Sequence, residues 1–164
     1  MSSKVQEKVV ESFKEKDSSI QDLGKSLELP KVLPNESWNS FIGRIYSSYS
    51  NKKKNDIIKA YWSNKKSKTL TLNEIIIVDM AHRNLHDNLK TNIFNGEDSD
   101  DINDIISGIL DGGEDLYNKI LKSSFAGKDT DNNIDKLMYL CDEESGYFIH
   151  DLYETKGFDP VKYR

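Results

Sequence analysis

Apolar side chains recur at helical spacing along most of the chain, and this periodicity constrains the fold more than any other feature. The clearest run follows Pro34, where six large residues succeed one another at intervals of one, three or four: Trp38, Phe41, Ile42, Ile45, Tyr46 and Tyr49. Such spacing places side chains on one face of an α-helix, where they can be buried together. Because the chain has only 3 prolines, few positions interrupt helices of this kind.

A long helix is predicted from Thr71 to about Phe94. Thr71 and Glu74 have the spacing of a capping box, in which each residue satisfies a free backbone N–H at the start of a helix. The stretches TLTL and IIIV also favour strands. The helical spacing continues beyond them, however, through Met80, Ala81, Leu85 and Leu89.

Weaker patterns predict the remaining helices. One contains Val5, Val9 and Phe13, a short second one opens with Ser18 and Gln21 and ends around residues 24–29, another short one covers residues 56–62, and two more cover residues 102–110 and 115–125. A last helix begins near residue 133, carries Cys141 as a packed thiol on its apolar face, and is broken or kinked at Gly146. The sequence therefore predicts an all-α protein, a compact bundle of roughly seven to eight helices forming a single domain over residues 1–164.

Several features favour a cytoplasmic protein. Cys141 is the only cysteine, so no disulfide can form within the chain. The N-terminal residues lack the apolar core of a signal peptide, and the longest apolar run, residues 75–78, is far too short to span a membrane.

Charge is unevenly distributed along the chain. Residues 1–96 carry 16 Lys and Arg against 11 Asp and Glu, whereas residues 97–164 carry 7 against 17. The first part is therefore basic-leaning at +5, the second is acidic at −10, and their sum is the overall −5. Such an asymmetry bears on the partners that a protein attracts.

The acidic residues are densest between residues 96 and 115, where eight carboxylates occur without any Lys or Arg. Part of this cluster is ordinary helix chemistry, because acidic residues in a first helical turn stabilise the helix dipole. The remaining carboxylates of the cluster predict an acidic surface that attracts and binds a basic protein. The candidate partner-binding residues are Glu97, Asp98, Asp100, Asp101, Asp104, Asp111, Glu114 and Asp115.

The histidines offer an alternative function. His82 and His86 lie one helical turn apart, and His150 is the third histidine of the chain. Together they would suit a metal-dependent helical-bundle enzyme with an open coordination position. The chain has no HExxH and no Glu-x-x-His pattern. The sequence therefore favours a partly buried pair, bonded to Asp79 or Asp87, over a metal site.

A third function is suggested by residues 51–68, which combine seven lysines with Tyr61 and Trp62. Lysines neutralise phosphates and aromatic rings stack on bases, as in single-stranded nucleic-acid binding. The segment has no arginine, and the acidic half of the chain would repel a polyanion. A solvated loop beside a core helix is the favoured interpretation.

No nucleophile elbow, phosphate-binding glycine loop or dinucleotide fingerprint occurs in the sequence. We therefore expect a non-enzymatic protein without cofactor that binds and inhibits a basic partner. An immunity protein that neutralises a basic toxin or nuclease would have these properties.

Overall fold

The computed structural model describes residues 19–67 and 69–160. These residues form eight α-helices: α1 (Ile20–Ser26), α2 (Trp38–Ser48), α3 (Asn51–Asn64), α4 (Leu72–Phe94), α5 (Asp100–Asp111), α6 (Glu114–Leu121), α7 (Thr130–Leu137) and α8 (Phe148–Glu154). Two short 3₁₀ segments, Met138–Leu140 and Glu144–Tyr147, lie between α7 and α8. No strand occurs within these ranges, which confirms the all-α prediction. The predicted helix around Val5, Val9 and Phe13 lies outside the described residues.

Helix α4 is the centre of the bundle, and all seven other described helices pack against it. Its first half is buried on every side, since each residue from 74 to 81 is buried. A helix that is apolar all round is stable only when neighbours enclose it. The capping box predicted from Thr71 and Glu74 is present, and it starts the helix where the strand-forming TLTL stretch ends.

The central helix buries two carboxylates, that of Glu74 in the capping box and that of Asp79, which is 1% exposed. Arg83 Nε donates to its Oδ1 at 2.6 Å, and the Tyr153 hydroxyl donates to its Oδ2 at 2.6 Å. Trp38 Nε1 in turn donates to the Tyr153 oxygen at 3.3 Å. A buried carboxylate is tolerated only when its oxygens are satisfied in this way. The network thus connects α4 with α2 and α8.

The lysine run is helical, contrary to the predicted loop with a helix at residues 56–62. Helix α3 begins at Asn51, because the Ser50 hydroxyl accepts the backbone N–H of Lys53. Serine is a favourable N-cap, and lysine has a high intrinsic helix propensity. The start of the helix therefore includes all three lysines of the run.

The last predicted helix is instead four short elements. Helix α7 ends at Leu137, and the chain then crosses α5 closely, with the Asp142 N–H donating to the Asp104 carbonyl at 3.0 Å. A Cβ atom on Gly108 would overlap the Leu140 carbonyl oxygen, so only glycine permits this approach. Met138 and Cys141, predicted on an apolar face, are exposed as a result.

Replacing Tyr153 by Phe should lower the free energy of unfolding by about 1–3 kcal/mol, because the buried Asp79 carboxylate loses a hydrogen bond. Urea unfolding followed by circular dichroism measures the change. Tyr139→Phe is the matched control, since Tyr139 is 77% exposed. Its effect should stay within about 0.5 kcal/mol. Equal stabilities of the two variants would contradict this role of Tyr153.

Replacing Gly108 by Ala should lower the free energy of unfolding by about 1–3 kcal/mol, since residues 138–142 must move away from α5. Gly43→Ala is the control, because its added methyl group meets no atom within 4 Å and also lies in a helix. It should raise stability by about 0.5–1 kcal/mol. Thermal unfolding of both variants tests whether Gly108 is needed for the close crossing. Similar changes of unfolding temperature in Gly108→Ala and Gly43→Ala would contradict this role of Gly108.

Candidate functional site

Two adjoining grooves open beside the second half of α4. The Asp104 groove, of about 760 Å³, has α4 on one side and α5 with residues 143–149 on the other. The Phe148 groove, of about 780 Å³, lies between the end of α3, the end of α5 and residues 142–155. His82 and Ser107 line both, so the two grooves adjoin at these residues.

The His82 ring lies where the grooves meet. The Tyr61 hydroxyl is 3.2 Å from Nδ1, and the Phe148 ring centroid lies 5.9 Å from that of His82. Burial, together with the charges of the His86, Lys65 and Arg83 side chains, lowers the pKa of His82 to about 3. The imidazole is therefore neutral near pH 7.

The second ring nitrogen of His82, Nε2, has no hydrogen-bond partner among residues 19–67 and 69–160, and it is not sealed inside the protein. Because His82 lines both grooves, a molecule bound there would contact this side chain. The histidine pair is partly buried, as predicted, but the predicted bond to Asp79 or Asp87 is wrong, since no hydrogen bond within the described residues joins either ring to these carboxylates. His86 lies nearby, at 6.3 Å between ring centroids, and burial lowers its pKa as well.

The three histidines do not converge. His150 is exposed on α8, where its Nδ1 lies 3.6 Å from an Asp151 oxygen and 4.0 Å from a Glu154 oxygen. Within the described part of the chain, that exposed trio is the one group of His, Cys, Asp and Glu whose ligand atoms all lie within 4.8 Å of one another. The metal centre suggested by His82, His86 and His150 is therefore not formed by these side chains.

The eight predicted acidic residues divide between the grooves and other surfaces. Asp98, Asp100 and Asp104 line the Asp104 groove, and Asp111 lines the Phe148 groove. The other four line neither of these grooves: Glu97, Asp101, Glu114 and Asp115.

Two of the predicted carboxylates are already paired within the chain. Asp98 lies 3.3 Å from Lys90 Nζ, and Asp111 lies 3.7 Å from Lys65 Nζ. The Asn103 and Lys90 side chains lower the pKa of Asp98. These two acids are therefore less available to a partner than their position in the sequence suggests.

Four carboxylates of the Asp104 groove have no cationic partner in the part of the chain that the structure describes. Six acids line it, and two of them are paired, Asp79 with Arg83 and Asp98 with Lys90. For the remaining four, no Lys or Arg nitrogen in the described ranges lies within 4.0 Å: Asp87, Asp100, Asp104 and Glu143. This groove therefore keeps an excess of negative charge.

Sequence reasoning missed the acidic contribution of residues 142–144. Glu143 lines the Asp104 groove, and Asp142 and Glu144 line the Phe148 groove. These residues are far from α5 in sequence and reach it because Gly108 permits the crossing. The DEES run at residues 142–145 shows in the sequence that this stretch is acidic, but it does not show that the stretch lies beside α5.

The basic segment at residues 51–68 does not present a base-stacking surface in the residues described. The Tyr61 ring is buried, and Trp62 packs edge-on against it and lies 5.6 Å from the Tyr117 ring. Lys53 and Lys54 lie over the rings of Tyr49 and Tyr46. These aromatic rings and cations are thus engaged within the chain.

Cys141 is exposed and not packed, because the helix predicted to carry it is divided into short elements. Its partial burial and the neighbouring carboxylates of Asp104, Asp101, Glu143 and Asp142 raise the pKa of its thiol. A raised pKa keeps the thiol protonated near pH 7, which disfavours nucleophilic chemistry.

Comparison with protein-family models, with curated proteins and with solved structures finds no match to this chain. Within the described residues, no helix has both the length and the apolar character needed to cross a bilayer. The site is therefore interpreted from its own geometry.

The neutral state of His82 predicts a specific pH dependence of stability. The folded-state pKa of about 3 lies below the ordinary 6.5. The unfolded chain therefore binds the extra proton, and stability is lost as the pH falls below 6.5 toward 3. His82 alone should lower the free energy of unfolding by about 1.4 kcal/mol between about pH 7.5 and about pH 5.5.

Urea unfolding of wild type and His82→Gln at both pH values measures this contribution. The variant should lose less stability on acidification, by the amount that His82 contributes. His150→Gln, at a position that is exposed on α8, is the control and should behave as wild type. The same loss in wild type and His82→Gln would contradict the assignment.

Proposed function

We propose that the protein binds a basic protein partner through the Asp104 groove. The observation that carries the proposal is a set of four carboxylates around this groove that have no Lys or Arg partner among residues 19–67 and 69–160: Asp87, Asp100, Asp104 and Glu143. Unpaired negative charge at the rim of a groove attracts cationic surfaces and raises the rate of encounter.

The spacing of these carboxylates favours an extended cationic surface over a single metal ion. In the described part of the chain, no three of their oxygens lie within 4.8 Å of one another. A divalent cation needs several oxygen ligands at short range from one point. Several lysine and arginine side chains on a protein surface can each pair with one of these separated carboxylates.

Tyr147 adds a second property of protein-binding surfaces. It lines the same groove and is 57% exposed. Tyrosine is enriched among the residues that contribute most to protein interfaces, and its ring also attracts cations. An exposed tyrosine beside unpaired carboxylates therefore suits a partner that presents lysine or arginine.

An inhibitor or immunity protein that neutralises a basic toxin or nuclease is one member of this class. That finer role stays a prediction from the charge of the sequence, as does a cytoplasmic location. In such a role, binding at the groove would block the activity of the captured partner.

The test compares two variants that each lose three negative charges. The groove variant is Asp100→Asn/Asp104→Asn/Glu143→Gln, and the control is Asp101→Asn/Asp115→Asn/Asp135→Asn, whose positions line neither groove. Each protein is immobilised and exposed to cell extract, and the bound proteins are identified by mass spectrometry. Thermal unfolding of both variants verifies that each is folded.

Wild type should capture proteins of high isoelectric point. The groove variant should capture about tenfold less of these proteins than wild type does, whereas the amount captured by the control should stay within about twofold of wild type. Raised salt should weaken capture by wild type, because exposed charges are screened. Equal capture by the two variants, or capture of acidic proteins alone, would remove the proposal.

A further inference from the structure

The Phe148 groove differs in character from the Asp104 groove. Four apolar or aromatic side chains line it, of which Phe148 and Leu152 keep some exposed surface: Tyr61, Leu110, Phe148 and Leu152. Phe148 is only partly buried, so its ring presents apolar surface to the groove. A volume of about 780 Å³ is enough for one or more large side chains of a bound molecule.

The charged residues that line the Phe148 groove are four acids and two lysines, Lys65 and Lys66, so negative charge is in excess there. Lys65 Nζ donates to the Leu110 carbonyl and lies 3.7 Å from Asp111, which holds it in place. Glu144 and Asp151 are exposed acids that also line this groove. An apolar side chain flanked by basic residues would therefore find both an apolar lining and complementary charge.

The two grooves adjoin, so one segment that crosses their boundary can reach both. The two residues shared by the grooves, His82 and Ser107, are uncharged while the imidazole is neutral. An apolar side chain can pass or rest there without desolvating an ion. The unpartnered Nε2 of His82 can hydrogen-bond a polar group of the same segment.

We propose that the two grooves together bind one amphipathic segment of the basic partner, with an apolar side chain in the Phe148 groove and Lys or Arg side chains in the Asp104 groove. The inference rests on the proposed function and adds the kind of segment that is recognised. The apolar side chain would supply affinity through burial, and the cationic ones would supply orientation and rate of binding.

Three short fluorescein-labelled peptides test the inference by fluorescence polarisation. The first carries arginines and a leucine on one helical face, the second replaces the leucine by serine, and the third keeps the leucine and replaces the arginines by glutamine. Wild type should bind the first about tenfold more tightly than the second, because leucine burial contributes at least this much. It should bind the third most weakly.

Phe148→Ser should remove the preference for leucine over serine while leaving binding of the serine peptide unchanged. Tyr139→Ser is the matched control, because it removes an exposed aromatic ring that lines neither groove, and it should keep the preference. If Phe148→Ser does not fold, Thr155→Tyr gives the same readout. Thr155 is exposed on the rim of the Phe148 groove, and a bulky uncharged side chain there obstructs it.

The outcomes separate this inference from the proposed function. Equal binding of the leucine and serine peptides by wild type overturns the inference, while capture of basic proteins from extract still supports the proposed function. Binding of neither arginine peptide also overturns the inference. Loss of the leucine preference in Tyr139→Ser as well as in Phe148→Ser would show that the preference arises outside the Phe148 groove.

Discussion

The enclosure of α4 is the constraint on which the rest of the structure depends. Its first half is buried on all sides, and every other described helix packs against it. The most deeply buried carboxylate within that half, that of Asp79, accepts hydrogen bonds from Arg83 of the same helix and from Tyr153 of α8. The same packing therefore buries the apolar helix and satisfies its buried charge. The hydrogen bond from Tyr153 to Asp79 helps to determine where α8 lies.

The same constraint explains where the grooves occur. The second half of α4 is only partly covered, and its residues 82–84, 86 and 90 remain half-buried. Short elements line the grooves there: α5, the second 3₁₀ segment and α8. These short helices leave open space against α4, so side chains at His82 and around it can reach solvent. The candidate site is therefore the place where packing around the central helix is incomplete.

Several properties of the site could be predicted from the residues alone. The acidic character of the second half was visible, and Asp100 and Asp104 do line a groove. Asp98 and Asp111 were also predicted, but Lys90 and Lys65 pair with them across gaps in sequence that no local pattern reveals. Glu143 could not be assigned to the same surface, because its position depends on the close crossing at Gly108. The pairing of His82 with Tyr61 likewise joins two helices and has no local signature.

The sequence by itself determined the helical class, the start and end of α4, and the excess of negative charge, because spacing, capping and composition are local properties. Only the tertiary structure decided which carboxylates are paired, which histidine is enclosed, and that two grooves meet at one ring. Those properties depend on distances between residues far apart in the chain. Such distances are set by how the helices pack, which the periodicity of any single helix does not encode.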